Sequence, residues 1–175
     1  NIALGIGKTV VDGEKSLWFS PARAKKLVQF ATVENTLQSC QRQFYALDMK
    51  PSICFHRNIS NLTLRNIQDA DEELPVTLLA STYIAEEDRV RDAWLPGPKI
   101  MTFAPVLKYS GYPLPEILSD LLKIGKAGVG GEVEIEFAVH LDRELAKSIL
   151  YILQIRPMVS GGEMVDVQIC DHEVQ

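Results

Sequence analysis

Toward its C-terminal end the chain reads VEIEFAV (Val133–Val139) and then, after a charged interval, YILQIRP (Tyr151–Pro157). Both runs are rich in β-branched and aromatic residues, which suit a pleated, half-buried surface. Successive side chains of a strand point to opposite faces. Glu132, Glu134, Glu136, Ala138 and His140 therefore share one face, and Val133, Ile135, Phe137 and Val139 share the other. In the second run regular alternation groups Leu150, Ile152, Gln154 and Arg156, opposite Tyr151, Leu153 and Ile155. Pairing Glu132–Val139 with Ile149–Arg156 across the Leu141–Ser148 connection predicts an antiparallel hairpin whose polar ends meet on one side of the sheet.

Two readings of that polar face stand side by side. Neighbouring carboxylates on one strand repel unless they are solvated or neutralised by a cation. In the first reading the face is solvated, as antiparallel sheets allow, and Arg156 bridges to a glutamate across the hairpin. In the second it is a magnesium site. Carboxylate and amide oxygens are hard ligands, and Mg²⁺ takes one or two of them together with nucleotide phosphates. Arg156 then meets a phosphate through its planar fork.

Working outward, Leu114–Lys126 is expected to be a helix. Pro115 lies in its first turn, Glu116 is early, and Lys123 and Lys126 are late, as the helix dipole prefers. Gly128, Gly130 and Gly131 stop it. Upstream, Thr32 is placed to cap a second helix. Val33, Leu37, Cys40, Phe44 and Leu47 recur at helical spacing along it, and Pro51 ends it. Asn61–Arg65, Val76–Tyr83 and Lys99–Phe103 read as strands, Ser16–Phe19 as a short β-prone run, and Gln68–Glu73 as a loop or single turn. This mixture predicts an α+β (or α/β) fold with a mostly antiparallel sheet, packed helices and a closing hairpin.

Composition narrows the function classes. Across 175 residues 46% are hydrophobic and 23% charged, ordinary values for a chain with a buried core. Acids outnumber bases 23 to 18, for a net charge of −5. A general nucleic-acid binder needs a basic surface, so none is expected. No apolar run approaches the ~20 residues that cross a bilayer, so no membrane span is expected. Cys40, Cys54 and Cys170 show neither CxxC nor ligand spacing with His56, His140 or His172, against a disulfide framework or zinc site. Asn58 and Asn61 begin glycosylation sequons, but a cytoplasmic, reduced setting is the simplest expectation. The start, Asn1-Ile-Ala-Leu-Gly5, reads as a cut end within a longer protein.

The other glycine-rich stretch, Gly5-Ile-Gly7-Lys8-Thr9, contains Gly-Lys-Thr but fails as a P-loop. Ile2 stands where the first P-loop glycine belongs, and Val10-Val11-Asp12-Gly13 is a poor helix opening. Val10 also replaces the third glycine of a dinucleotide fingerprint. A plain turn and a phosphate-adjacent loop of another fold both remain open. No GxSxG setting supports a hydrolase. A glycosidase acid–base pair is disfavoured because Glu134 and Glu136 come from one strand, not from opposite sides of a scissile bond.

Taken together, three segments resemble the nucleotide-binding domain of the phosphoenolpyruvate synthase and pyruvate phosphate dikinase family, an ATP-grasp-type fold. Leu4–Gly13 is similar to its GLGxxVVxG stretch, Val133–Phe137 to its acidic (D/E)-I-E-(F/W) strand, and Tyr151–Pro157 to its closing LQxRP strand. The likeness implies the C-terminal part of that domain over 1–158, with 159–175 a linker toward a following domain.

It further implies MgATP as the ligand. Glu136 and Gln154, supported by Glu134, would hold Mg²⁺. Gly5, Gly7, Lys8 and Arg156 would contact the nucleotide, and Arg156 would be the catalytic group on the phosphates. In the family the phosphoryl group passes from ATP to a histidine on a separate domain and then to pyruvate, giving phosphoenolpyruvate. A related phosphotransferase with another acceptor fits the same scaffold. The lysine- and arginine-bearing half that grips the triphosphate lies upstream in the family, so the fragment alone is expected to be inactive. A non-catalytic regulatory or interaction module is the alternative, with Gln68–Glu73 and Glu86-Glu87-Asp88 as contact surfaces.

Overall fold

The computed structural model describes residues 1–49, 61–70 and 74–158. In chain order these form α1 (Lys8–Val11), α2 (Val33–Ser39), β1 (Gln43–Leu47), β2 (Leu62–Asn66), α3 (Leu74–Leu79), β3 (Ala80–Ile84), β4 (Arg89–Arg91), β5 (Lys99–Met101), α4 (Ala104–Leu107), α5 (Leu114–Val129), β6 (Val133–His140) and β7 (Ile149–Pro157), with short 3₁₀ turns between. The fold is mixed α+β, and every strand pairing is antiparallel. The sheet is divided into three, ordered β1-β2, β4-β3-β5 and β6-β7.

Two expected elements change type. The long helix from Thr32 ends at Ser39, and Gln43–Leu47 is a strand paired with Leu62–Asn66. Thr32 caps as expected, its hydroxyl accepting from the Asn35 N–H at 3.1 Å. Beyond Cys40 the helical stripe coincides with a run containing adjacent Phe44 and Tyr45, which suits a strand with a cross-strand partner. Buried Gln41 fixes the changeover. Its amide oxygen accepts from the Leu4 N–H at 2.8 Å, and its NH₂ donates to the Leu4 and Gln43 carbonyls, each at 2.9 Å. The expected strand Val76–Tyr83 is helical as far as Leu79, and β3 begins at Ala80. Pro75 is second in α3, in the first turn, where a missing N–H costs nothing.

Other readings hold with adjusted ends. Lys99–Phe103 shortens to Lys99–Met101, and Asn61–Arg65 becomes Leu62–Asn66. The Ser16–Phe19 run makes one antiparallel bridge, Leu17 with Ile2. Helix α5 runs to Val129 and stops where Gly130 adopts φ 77°, a left-handed cap that glycine takes without a Cβ penalty. Gln68–Ala70 lies in a 3₁₀ turn, Ile67–Ala70. Pro51, the Asn58 sequon, Cys54, His56, Asp71–Glu73 and the 159–175 segment, with Cys170 and His172, lie outside the described residues.

The core gathers Ile67, Val76, Met101, Val106, Leu107 and Leu118, with Ile2, Leu17 and Leu27 from the N-terminal segment. The hairpin is anchored to it by Leu141, under one-tenth exposed, and by half-buried Phe137, Val139 and Leu150, while buried Val133 lies against Gly125 of α5. One face of β6 is thereby committed to packing and the carboxylate face is left outward.

Candidate functional site

The register of β6 against β7 sets Glu134 opposite Arg156 and Glu136 opposite Gln154. Between Glu136 and Phe137 the register shifts, so that Phe137 pairs with Ile152 and Leu153 is the extra residue of a β-bulge. This corrects the regular alternation expected for the second strand. Leu150 and Ile152 share a face with Val139 and Phe137, Leu150 packed on the core and Ile152 still 47% exposed, whereas Gln154 and Arg156 lie with the glutamates. Unbroken alternation would have put two large aliphatic side chains among carboxylates. One inserted residue resolves that conflict, and it turns Tyr151, opposite Ala138, onto the carboxylate face.

Arg156 reaches straight across the strands. Its Nε and Nη2 each lie 3.0 Å from Glu134 Oε2, with about half of either side chain exposed. This is the bridge of the solvated-face reading, and an exposed pair of this kind contributes little to folding. The hydrogen bond and the adjacent positive charge hold the Glu134 carboxyl below its ordinary range, and Glu134, joined by Glu136, raises the Arg156 guanidinium in turn. At the open end Glu132 is paired with Lys126 of α5. Four polar groups thus share one outward surface: two carboxylates, one amide and one guanidinium. His140 extends the same face and is exposed.

The glycine-rich residues are placed elsewhere. Gly5 (φ 97°) lies so close to β1 that an added Cβ would stand 2.9 Å from the Tyr45 carbonyl oxygen, which explains the glycine by packing. Gly7 precedes α1, a single turn ended at Asp12. Lys8 is paired with Asp12, and its ammonium lies 5.4 Å from the Tyr45 ring centroid. Thr9 is 2% exposed, and its hydroxyl is the one buried side-chain polar atom without a partner among the described residues. No hydrogen bond or ion pair among those residues joins Gly5, Gly7 or Lys8 to the hairpin. Glu134, Glu136, Gln154 and Arg156 are brought together; Gly5, Gly7 and Lys8 are not joined to them.

A second polar cluster has no signal in the local sequence. Asp92, 15% exposed at its side chain, accepts from Ser81 Oγ at 2.8 Å, Lys108 Nζ at 3.0 Å and Tyr109 OH at 3.3 Å. Ser81 also shares a hydrogen with the Thr102 hydroxyl. Each polar group there has a partner, so the cluster reads as a structural tie between β3, the end of β4 and α4.

Oxygen chemistry on the hairpin suits a hard cation. Glu136 and Glu134 supply carboxylates and Gln154 an amide oxygen, the donor types Mg²⁺ accepts. Among the described residues no three of His, Cys, Asp and Glu cluster as a self-sufficient metal site. A hairpin-bound Mg²⁺ would therefore draw its remaining ligands from water and phosphate. Among those residues, too, no helix is long and apolar enough to cross a membrane. No protein-family model, curated protein or solved structure matches the chain.

Proposed function

We propose that the chain is part of the ATP-binding domain, ATP-grasp in type, of a phosphotransferase related to phosphoenolpyruvate synthase and pyruvate phosphate dikinase. The observation that carries this reading is the β6–β7 register, which faces Glu136 with Gln154 and Glu134 with Arg156 on one outward surface. The three family-like segments support it. Phosphoryl transfer asks a protein chiefly for positioning and charge neutralisation, and these side chains offer both.

Glu136 and Gln154 would hold Mg²⁺, with Glu134 beside them. The ion supplies neutralisation of the phosphate oxygens. Arg156 orients and neutralises the phosphates through its fork, for which it must exchange Glu134 for the nucleotide. The phosphoryl group then goes to a histidine on another domain and onward to pyruvate, in a cytoplasmic setting.

Titration calorimetry of the full-length protein with MgATP is the test. Glu136→Ala and Arg156→Ala should each weaken binding about tenfold or more, the worth of one charge-assisted contact. Unchanged affinity and turnover in both variants would remove the assignment. One observation favours the second reading, a non-catalytic module: Lys8 is paired with Asp12 and Arg156 with Glu134, so each cation already has a carboxylate partner within the chain. An absence of binding heat, with the circular dichroism of a folded protein, would select it.

A further inference from the structure

Far from the hairpin in sequence, Pro21-Ala-Arg-Ala-Lys-Lys26 carries three cations in four residues of a net acidic chain. Ala24 and Leu27 are each 7% exposed and anchor this turn in the core, whereas Arg23, Lys25 and Lys26 are exposed. Folding at this place uses Ala24 and Leu27; it has no use for three like charges side by side. Among the described residues none of the three takes part in a salt bridge, whereas Lys8, Lys108, Lys126 and Arg156 each face a carboxylate.

The cations do not stand on a convex surface. They line an open cleft of about 400 Å³, walled on the far side by Leu107, Ser110, Pro115 and Glu116. That volume lies within the ordinary range of small-ligand pockets. Leu107, 2% exposed, and buried Pro115 close its floor and leave the cationic rim as the accessible part, and Glu116 is the one acid among the lining residues. Helix α5 starts at this wall, so the positive end of its dipole adds to the same field.

We propose that this cleft is a binding site for a phosphate monoester group, separate from the β6–β7 surface. Arg23 grips the phosphate through its fork, Lys25 and Lys26 neutralise its second charge, and the remaining volume of the cleft receives the organic part of the ligand. A bare phosphate would leave much of the cleft to water, so an organic ester uses the site more fully than the free ion.

Calorimetry of the 175-residue protein at fixed ionic strength, with phenyl phosphate and inorganic phosphate as probes, tests this directly. Saturable binding is expected, weakened about tenfold or more in Arg23→Ala and in the Lys25→Ala/Lys26→Ala double variant. Glu116→Gln should bind more tightly, because an opposing carboxylate is gone. Glu136→Ala should bind as the parent does, so the outcome is independent of the hairpin reading. Phenyl phosphate binding more tightly than phosphate supports an ester ligand; equal or weaker binding of the ester overturns that assignment. No saturation by either probe, or parental affinity in the Arg23 and lysine variants, overturns it.

Discussion

At the residue scale the Glu134–Arg156 pair links charge to hairpin geometry. Two of the three guanidinium nitrogens of Arg156, Nε and Nη2, converge on a single carboxylate oxygen, each at 3.0 Å. The Glu134 carboxyl is consequently lowered from its ordinary value of 4.5, first by the hydrogen bond and then by the guanidinium charge. A carboxylate depressed in the folded state lends its stabilisation above the unfolded value, and that stabilisation fades as pH falls through the folded one. The pair therefore acts at neutral pH and disappears in acid. In an NMR carboxyl titration Glu134 should titrate below 4.5 in the parent and return upward in Arg156→Ala. Identical midpoints would mean that the guanidinium does not reach Glu134 in solution. The same pair shows why this surface was only half legible in the sequence. Period-two alternation correctly grouped Glu134 with Glu136. It could not distinguish a guanidinium turned to its neighbour from one waiting for a ligand, because that choice depends on cross-strand register.

At the element scale, the hairpin is held against α5 by one close approach. Gly125 is buried within the helix, and an added Cβ would lie 2.9 Å from Val133 Cγ2. Valine is stiff at χ1 and cannot turn that methyl aside cheaply. Gly125→Ala should therefore destabilise by about 1–3 kcal/mol through overpacking, although alanine is the better helix former by about 1 kcal/mol. Chemical denaturation measures the loss, and Gly125→Ala/Val133→Ala should recover part of it. A single variant as stable as the parent would show that helix and hairpin do not meet this closely.

The limits of sequence reading also lie at element boundaries. The α5 start and stop were legible because proline, charge placement and glycine act locally. The β6–β7 hairpin was legible because both strands alternate over several residues. The change from α2 to β1 was not, since the apolar residues from Val33 to Leu47 also fit a helical period. The decision rests with β2, fifteen or more positions downstream of β1. The bulge at Leu153 was hidden for the same reason, although Ile152 and Gln154 could not comfortably share a face under any unbroken register.

At the scale of the whole molecule, separate antiparallel sheets and short helices must be tied together without a long common sheet. A bridge between Gln41 and Met101 joins the β1 side to β5, and Asp92 ties the other side. Its carboxylate collects Ser81 from β3, together with Lys108 and Tyr109 beyond α4, while remaining mostly buried. Ser81 is 0% exposed, so its hydroxyl has no access to water if that acceptor is lost. Thr102 still partners it, but Lys108 would be left facing an empty position. Asp92→Ala should accordingly cost about 2–3 kcal/mol, the scale for hydrogen bonds to a charged group. Because the tie spans several elements, the loss should appear as a lower urea midpoint with one cooperative transition, seen alike by fluorescence and circular dichroism. A change below about 0.5 kcal/mol, the range of ordinary surface substitutions, would show that Asp92 is solvated and that apolar packing alone joins β3 to α4.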